Sequence, residues 1–343
     1  MAENEEFQEY GLPRKTHGEP DGTPGAVVLG DGDYRYSVTG EDWGKLPEGW
    51  FYKEATAVAV DQQDRVFVFN RGNMPVIVYD TEGNMIDSWG EGVFKNPHGI
   101  SVDPDGNLFC VDTGDSTVKK FTPAGELLLT LGEANKPAPA MSGKPFSVPT
   151  HVAVDPSNGD FYVSDGYSNA RVHKFTSNGE FISSWGESGT DEGQFNIVHN
   201  IAIDSEGLIY VADRENHRIQ IFDREGKYIN QWVNMARTAA IYIDTRGSED
   251  LVYVGEYFSG IGSNHMGTEL GPRVAVMNTK GETLARVGTE SYGSQHGRFY
   301  TPHGISVDSK GDIYVAEVSH SDYGRGWNID GYLRSMQKLV RQR

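Results

Sequence analysis

Short runs of alternating apolar residues, each closed by an aspartate, recur along the chain. They are VAVD (58–61), ISVD (100–103), VAVD (152–155), IAID (201–204), IYID (241–244) and ISVD (305–308). Period-two alternation places every second side chain on one face and marks a short strand. Each run continues in the same order. A polar turn such as DPDGN (103–107) leads to a second strand: RVFVFN (65–70), NLFCVD (107–112), DFYVSD (160–165), LIYVAD (208–213), LVYVGE (251–256) and DIYVAE (312–317). A third strand follows, as in STVKKF (116–121), ARVHKF (170–175) and HRIQIF (217–222). After another Gly turn, a fourth ends near tryptophan, as in MIDSWG (85–90), FISSWG (181–186) and YINQW (228–232).

The closing aspartates are 40 to 64 residues apart, a spacing that belongs to repeat architectures. Six units of four strands predict an all-β fold, a six-bladed β-propeller with four-stranded antiparallel blades. A lone sheet cannot bury both of its faces, whereas sheets packed around an axis can. YRYSVTG (34–40) stands outside the six units. It is expected to close the ring by completing the last blade, whose C-terminal strand falls near YLRSMQKL (332–339). The chain then divides into an N-terminal arm, 1–33, and a propeller, 34–343. The longest inter-strand insertion, 255–271, is placed to lie over one mouth of the ring as a lid.

Composition narrows the function. The chain has 343 residues, and its 42 glycines fall in hairpin turns, so no strand–Gly-rich loop–helix phosphate site is present. A net charge of −19, with no stripe of Lys and Arg interleaved with aromatics, argues against nucleic acid as a partner. Cys110 is the only cysteine, which excludes a disulfide within one chain. No 18-residue apolar run signals a membrane span, and MAENEEFQEYGLPRK lacks the apolar stretch of a signal peptide. A cytoplasmic protein acting on a small molecule or a peptide terminus, without a membrane partner, is the expectation.

Candidate chemistry appears on counting back five residues from each closing aspartate. The residues are Thr56, His98, Thr150, His199, Ala239 and His303. Equivalent positions sit at equal heights around the axis, so three histidines on alternate blades form a triangle facing the channel. Three neutral imidazoles with an open fourth position are a catalytic zinc arrangement, and manganese, iron, cobalt or nickel suit them as well. His151 lies one residue out of phase, which in a strand turns it to the opposite face, beside the channel or behind the ligands. His173, His217, His265, His296 and His320 fall outside the phrase and read as surface or loop residues.

The repeated phrases resemble NHL repeats. PTHVAVDPSNGDFYVSDGYSNARV (149–172), with WGESGTDEGQF (185–195) and VADRENHRIQIF (211–222), resembles the catalytic core of peptidyl-α-hydroxyglycine α-amidating lyase, over roughly residues 55–320. The resemblance implies zinc held by His98, His199 and His303, a catalytic Tyr167, and active-site arginines at Arg71 and Arg214. It also implies a structural calcium bound by an aspartate and by main-chain carbonyls at Val58 and Ile100. The aspartate's place is taken by Gly304, which puts calcium in doubt. Thr301 replaces a methionine, Ser168 a cysteine and His151 an aspartate of the family pattern. The implied reaction is cleavage of the C–N bond of an α-hydroxyglycine-type carbinolamide to an amide and glyoxylate. A hydrolase or hydratase using a metal-bound water, and a non-catalytic NHL interaction propeller, stay open as alternatives.

Overall fold

The computed structural model describes residues 27–39, 43–257, 259, 271–288, 293, 295–324 and 333–343. Its strands form six antiparallel sheets around a central axis, with a short parallel pair, Glu187–Ser188 and Gln194–Phe195, between the third and fourth. Blade one is Ala55–Val60, Val66–Asn70, Val76–Tyr79 and Met85–Trp89, in that spatial order outward from the axis. The all-β six-bladed propeller expected from the repeats is therefore the observed fold.

Burial follows strand position. Second strands such as Val66–Asn70 and Leu108–Asp112 are buried at every residue, because each is sandwiched by neighbouring blades. Outer strands such as Met85–Trp89 and Phe181–Trp185 are largely exposed. The core lies between blades: Phe67 and Phe69 of blade one pack with Ile100, Leu108 and Cys110 of blade two. Tryptophans lock the rim. A Cβ on Gly125, Gly226 or Gly281 would come within 2.8, 2.5 or 2.7 Å of Trp89, Trp185 or Trp232 on the preceding blade. All three glycines also adopt φ near +84°, so no other residue fits there.

The ring closes as expected. Tyr34–Val38 pairs with Met336–Arg341 through Tyr36↔Arg341 and Val38↔Leu339, supplying the fourth strand of blade six. The sheet continues to a fifth strand, Val28–Asp31, within the stretch read as an arm. This four-residue edge strand buries one side chain, Leu29, and contains Gly30, so it carries no readable alternation. Residues 1–26 and most of the 255–271 insertion lie outside the described residues. No helix among the described residues is long and apolar enough to cross a membrane.

Candidate metal centre

Five of the six positions singled out by counting back from the aspartates share one backbone device. His98, His199 and His303 each sit at a β-bulge in the innermost strands Pro97–Val102, Val198–Ile203 and Pro302–Val307. Thr56 and Ala239 sit at the equivalent bulges of blades one and five. Thr150 immediately precedes its strand, His151–Val154. A bulged residue leaves the ladder, which frees its carbonyl and re-aims its side chain.

Both freedoms are used. His98 Nδ1 donates to Thr150 O at 2.8 Å, His199 Nδ1 to Ala239 O at 2.6 Å, and His303 Nδ1 to Thr56 O at 2.6 Å. Each histidine of an even-numbered blade is thus held by the matching carbonyl of the next odd-numbered blade. A carbonyl only accepts, so Nδ1 carries the proton and Nε2 presents a lone pair. The three rings are buried, with centroids 5.0, 4.6 and 4.7 Å apart, nearly an equilateral triangle. Their potential ligand atoms lie within 4.8 Å of one another.

Electrostatics keep these imidazoles neutral. Burial, reinforced by the Arg71 charge, pushes His303 down to about 3. Burial and then His303 lower His98, and burial and then Arg214 lower His199. The Tyr167 hydroxyl lies 3.0 Å from both His98 Nε2 and His199 Nε2. It has one proton for the two lone pairs it touches, and His303 offers a third. A cation satisfies three convergent lone pairs that one hydroxyl cannot, so the donor set fits a His-preferring divalent metal.

Tyr167 follows the second strand of blade three, Phe161–Asp165. Gly166 lets the loop turn inward, since a Cβ there would sit 1.9 Å from Val198 O. Burial raises the Tyr167 hydroxyl above its ordinary range, and Arg214 and Arg71 oppose the rise without reversing it. Arg214 gives Nε to Glu215 at 2.8 Å and reaches the Tyr167 hydroxyl through Nη1 at 3.5 Å. Arg71 gives Nε to Pro97 O at 3.1 Å and Nη1 to Glu54 at 2.8 Å. The catalytic set read from the sequence, Tyr167, Arg71 and Arg214, therefore converges on the histidine triangle.

Several neighbours escaped the sequence reading. Glu54 accepts from Ser321 N at 2.9 Å and so ties Arg71 to the turn His320–Gly324. Arg237 joins the Arg214–Glu215 pair foreseen from the sequence, giving Nε to Glu215 at 2.9 Å. Asp322 lies in the same charged field as Arg214 and Arg237. Acids ending the second strands hold the loops that enter the innermost strands. Asp112 accepts from Asn96 N, Asp165 from Val148 N, Asp213 from Asn196 N and Glu317 from Thr301 N. Their recurrence as the last letter of the second-strand phrase in every blade but the first, which ends in Asn70, was the available signal.

His151 is not in the triangle. It pairs with Ser164, and its Nδ1 fills the space a Cβ on Gly99 would need, 2.5 Å away. Burial depresses it to about 4. Val58 and Ile100 pair with Val68 and Cys110 in their blades. A Cβ on Gly304 would stand 2.5 Å from Ala57 Cα, so this spacing leaves no room for a carboxylate there. Thr301 is buried and Ser168 is part of the Tyr167 loop, where its carbonyl accepts from Met141 N at 2.8 Å. His173, read from the sequence as a surface or loop residue, is instead fully buried in the strand Arg171–Phe175, where Asp165 engages it at 3.2 Å, and His265 lies outside the described residues.

The NHL repeat family matches residues 146–175, 195–222 and 299–321. The chain is an NHL-repeat propeller. It is homologous to peptidyl-α-hydroxyglycine α-amidating lyase 1 of Drosophila melanogaster, with 34% identity over 69% of this chain and 45% of the relative. It also matches NHL repeat-containing protein 3 of Homo sapiens, 29% identical over 88% of this chain and 86% of that protein. This NHL propeller spans less than half the length of the amidating enzymes it matches. A gluconolactonase structure from Xanthomonas campestris superposes with a TM-score of 0.58 at 13% identity, covering 93% of this chain and 99% of that one, a likeness of fold.

Proposed function

We propose that the channel is the active site of a metal-dependent lyase that cleaves the C–N bond of an α-hydroxyglycine-type carbinolamide, giving an amide and glyoxylate. The carrying observation is the triangle of Nε2 lone pairs with one tyrosine hydroxyl among them, ringed by arginines. Bound there, a divalent metal, zinc by preference, supplies Lewis acidity toward a substrate oxygen. Arg71 and Arg214 offer a carboxylate the planar, charge-assisted contacts that suit guanidinium. Tyr167 would act as the base in its phenolate form, which burial disfavours and which both arginines, together with a cation held by the neighbouring Nε2 atoms, would favour, and it would then take the carbinol hydroxyl proton. As that proton leaves, the oxygen forms a carbonyl and the C–N pair departs with nitrogen. Returning the proton from Tyr167 to nitrogen completes the amide, so the reaction balances without water or a covalent intermediate. The name of the Drosophila relative supports this reaction class.

The test is metal analysis of protein purified without chelator, followed by glyoxylate release from α-hydroxyhippurate. About one tightly held transition metal per chain and glyoxylate release support the lyase. Absence of metal sinks it and leaves a non-catalytic interaction propeller. Metal without glyoxylate redirects the site to hydrolysis or hydration.

A further inference from the structure

Tyr257 ends the second strand of blade five, Leu251–Tyr257, at the repeat position that Arg71 and Arg214 occupy in blades one and four. It is 3% exposed, and among the described residues its buried hydroxyl has no hydrogen-bond partner. A buried hydroxyl left unpaired costs about 1–3 kcal/mol. The fold gains nothing from it, because phenylalanine would fill the same volume without that cost.

The hydroxyl is not what holds the ring. Its centroid is 6.3 Å from the His303 ring, and the guanidinium carbons of Arg214 and Arg237 lie 5.9 and 5.4 Å from it. Glu215 fixes both arginines, taking Arg214 Nε at 2.8 Å and Arg237 Nε at 2.9 Å. The ring is thus clamped by cations while its polar atom is left over. Tyr167 serves the other side of the centre, touching His98 and His199. Tyr257 therefore stands beside the one histidine that Tyr167 does not reach.

We propose that the Tyr257 hydroxyl is a substrate contact, donating a hydrogen bond to the carboxylate of the bound α-hydroxy acid on the His303 side of the channel. The assignment rests on the reading of the channel as a carboxylate-binding lyase site. It gives the two tyrosines separate duties, Tyr167 at the carbinol hydroxyl and Tyr257 at the carboxylate. It also makes the substrate's acid group, held by this hydroxyl together with Arg71 and Arg214, the feature by which the site selects.

The experiment compares metal-loaded wild type with Tyr257→Phe, using hippurate, which keeps the amide and carboxylate but lacks the reacting hydroxyl. A hydrogen bond to a charged group implies that Tyr257→Phe binds hippurate about tenfold to a hundredfold more weakly. KM for α-hydroxyhippurate rises by a similar factor with a smaller change in kcat, while metal content and melting temperature do not fall. Equal hippurate affinity in the two proteins overturns the proposal, as does a fall in melting temperature that accounts for the weaker binding. If wild type binds hippurate but releases no glyoxylate, the reaction is wrong and the Tyr257 contact is still decided by the affinity ratio. If wild type binds no hippurate, the contact is wrong as well.

Discussion

His303 Nδ1 donates to Thr56 O at 2.6 Å across 247 residues of chain. That bond spans the seam between the last blade and the first, so the third corner of the histidine triangle exists only when the ring is shut. Leu339 is buried opposite Val38, in the strand pairing that ties the segment leading into blade one to blade six. Leu339→Ala should lower stability by about 2–5 kcal/mol and should also speed metal loss to a chelator. Chelator competition alongside urea unfolding checks this. Unchanged metal release from a destabilised variant would show that the centre is indifferent to closure.

Removing a ligand and removing the tyrosine should have separable effects. His199→Ala should lose its metal and its activity while keeping the circular-dichroism spectrum of the propeller. Tyr167→Phe should keep the metal, because it leaves all three Nε2 atoms in place, but should lose about 10²–10⁴-fold in turnover. Metal analysis beside a glyoxylate assay distinguishes the two. Loss of metal from Tyr167→Phe would make that hydroxyl a structural part of the centre.

Glu54 is the anchor of Arg71. Burial raises its carboxyl, but Arg71 and Ser321 more than offset this and hold it below the usual glutamate value. Glu54→Gln keeps the shape and removes the charge. It should raise KM for a carboxylate substrate more than it lowers kcat, and should cost about 1–3 kcal/mol of stability. Steady-state kinetics with thermal unfolding measures both; a normal KM would show that Pro97 O and Ser321 suffice to place the guanidinium.

His151 should leave a signature in acid. Its folded-state pKa, near 4, lies below the ordinary value of about 6.5. Between those pH values the unfolded chain takes up a proton that the folded chain refuses. The stability is therefore full above pH 6.5 and is lost as pH falls toward 4, at up to about 1.4 kcal/mol per pH unit for this group. His151→Gln should flatten the pH dependence of the urea midpoint by up to one proton across that window. Parallel wild-type and variant curves would mean that the ring is solvated.

The histidine triangle was legible because it is a matter of phase: a repeat aligns its letters, and three imidazoles on alternate units stand out against Thr56, Thr150 and Ala239. The bulges that aim them were not, because an extra unpaired residue is defined by the register of the neighbouring strand and leaves no letter of its own. Val28–Asp31 was missed for want of alternation. Tyr257 and Arg237 lie 20 residues apart on adjacent strands, and their relation to His303 arises only when blades five and six pack together. A hydroxyl without a partner is likewise a property of the folded interior, invisible in a string of residues.

The bond from each even-blade histidine to the next odd-blade carbonyl has an evolutionary consequence. Six similar sheets behave as three donor–acceptor couples, so the heritable module of this centre is two blades long. Duplication or loss of a single blade would put the couples out of step, leaving an imidazole facing another imidazole's place. Lineages carrying this centre should therefore change blade number in pairs, and odd blades should tolerate varied side chains at the bulge so long as they are small and their carbonyl stays free.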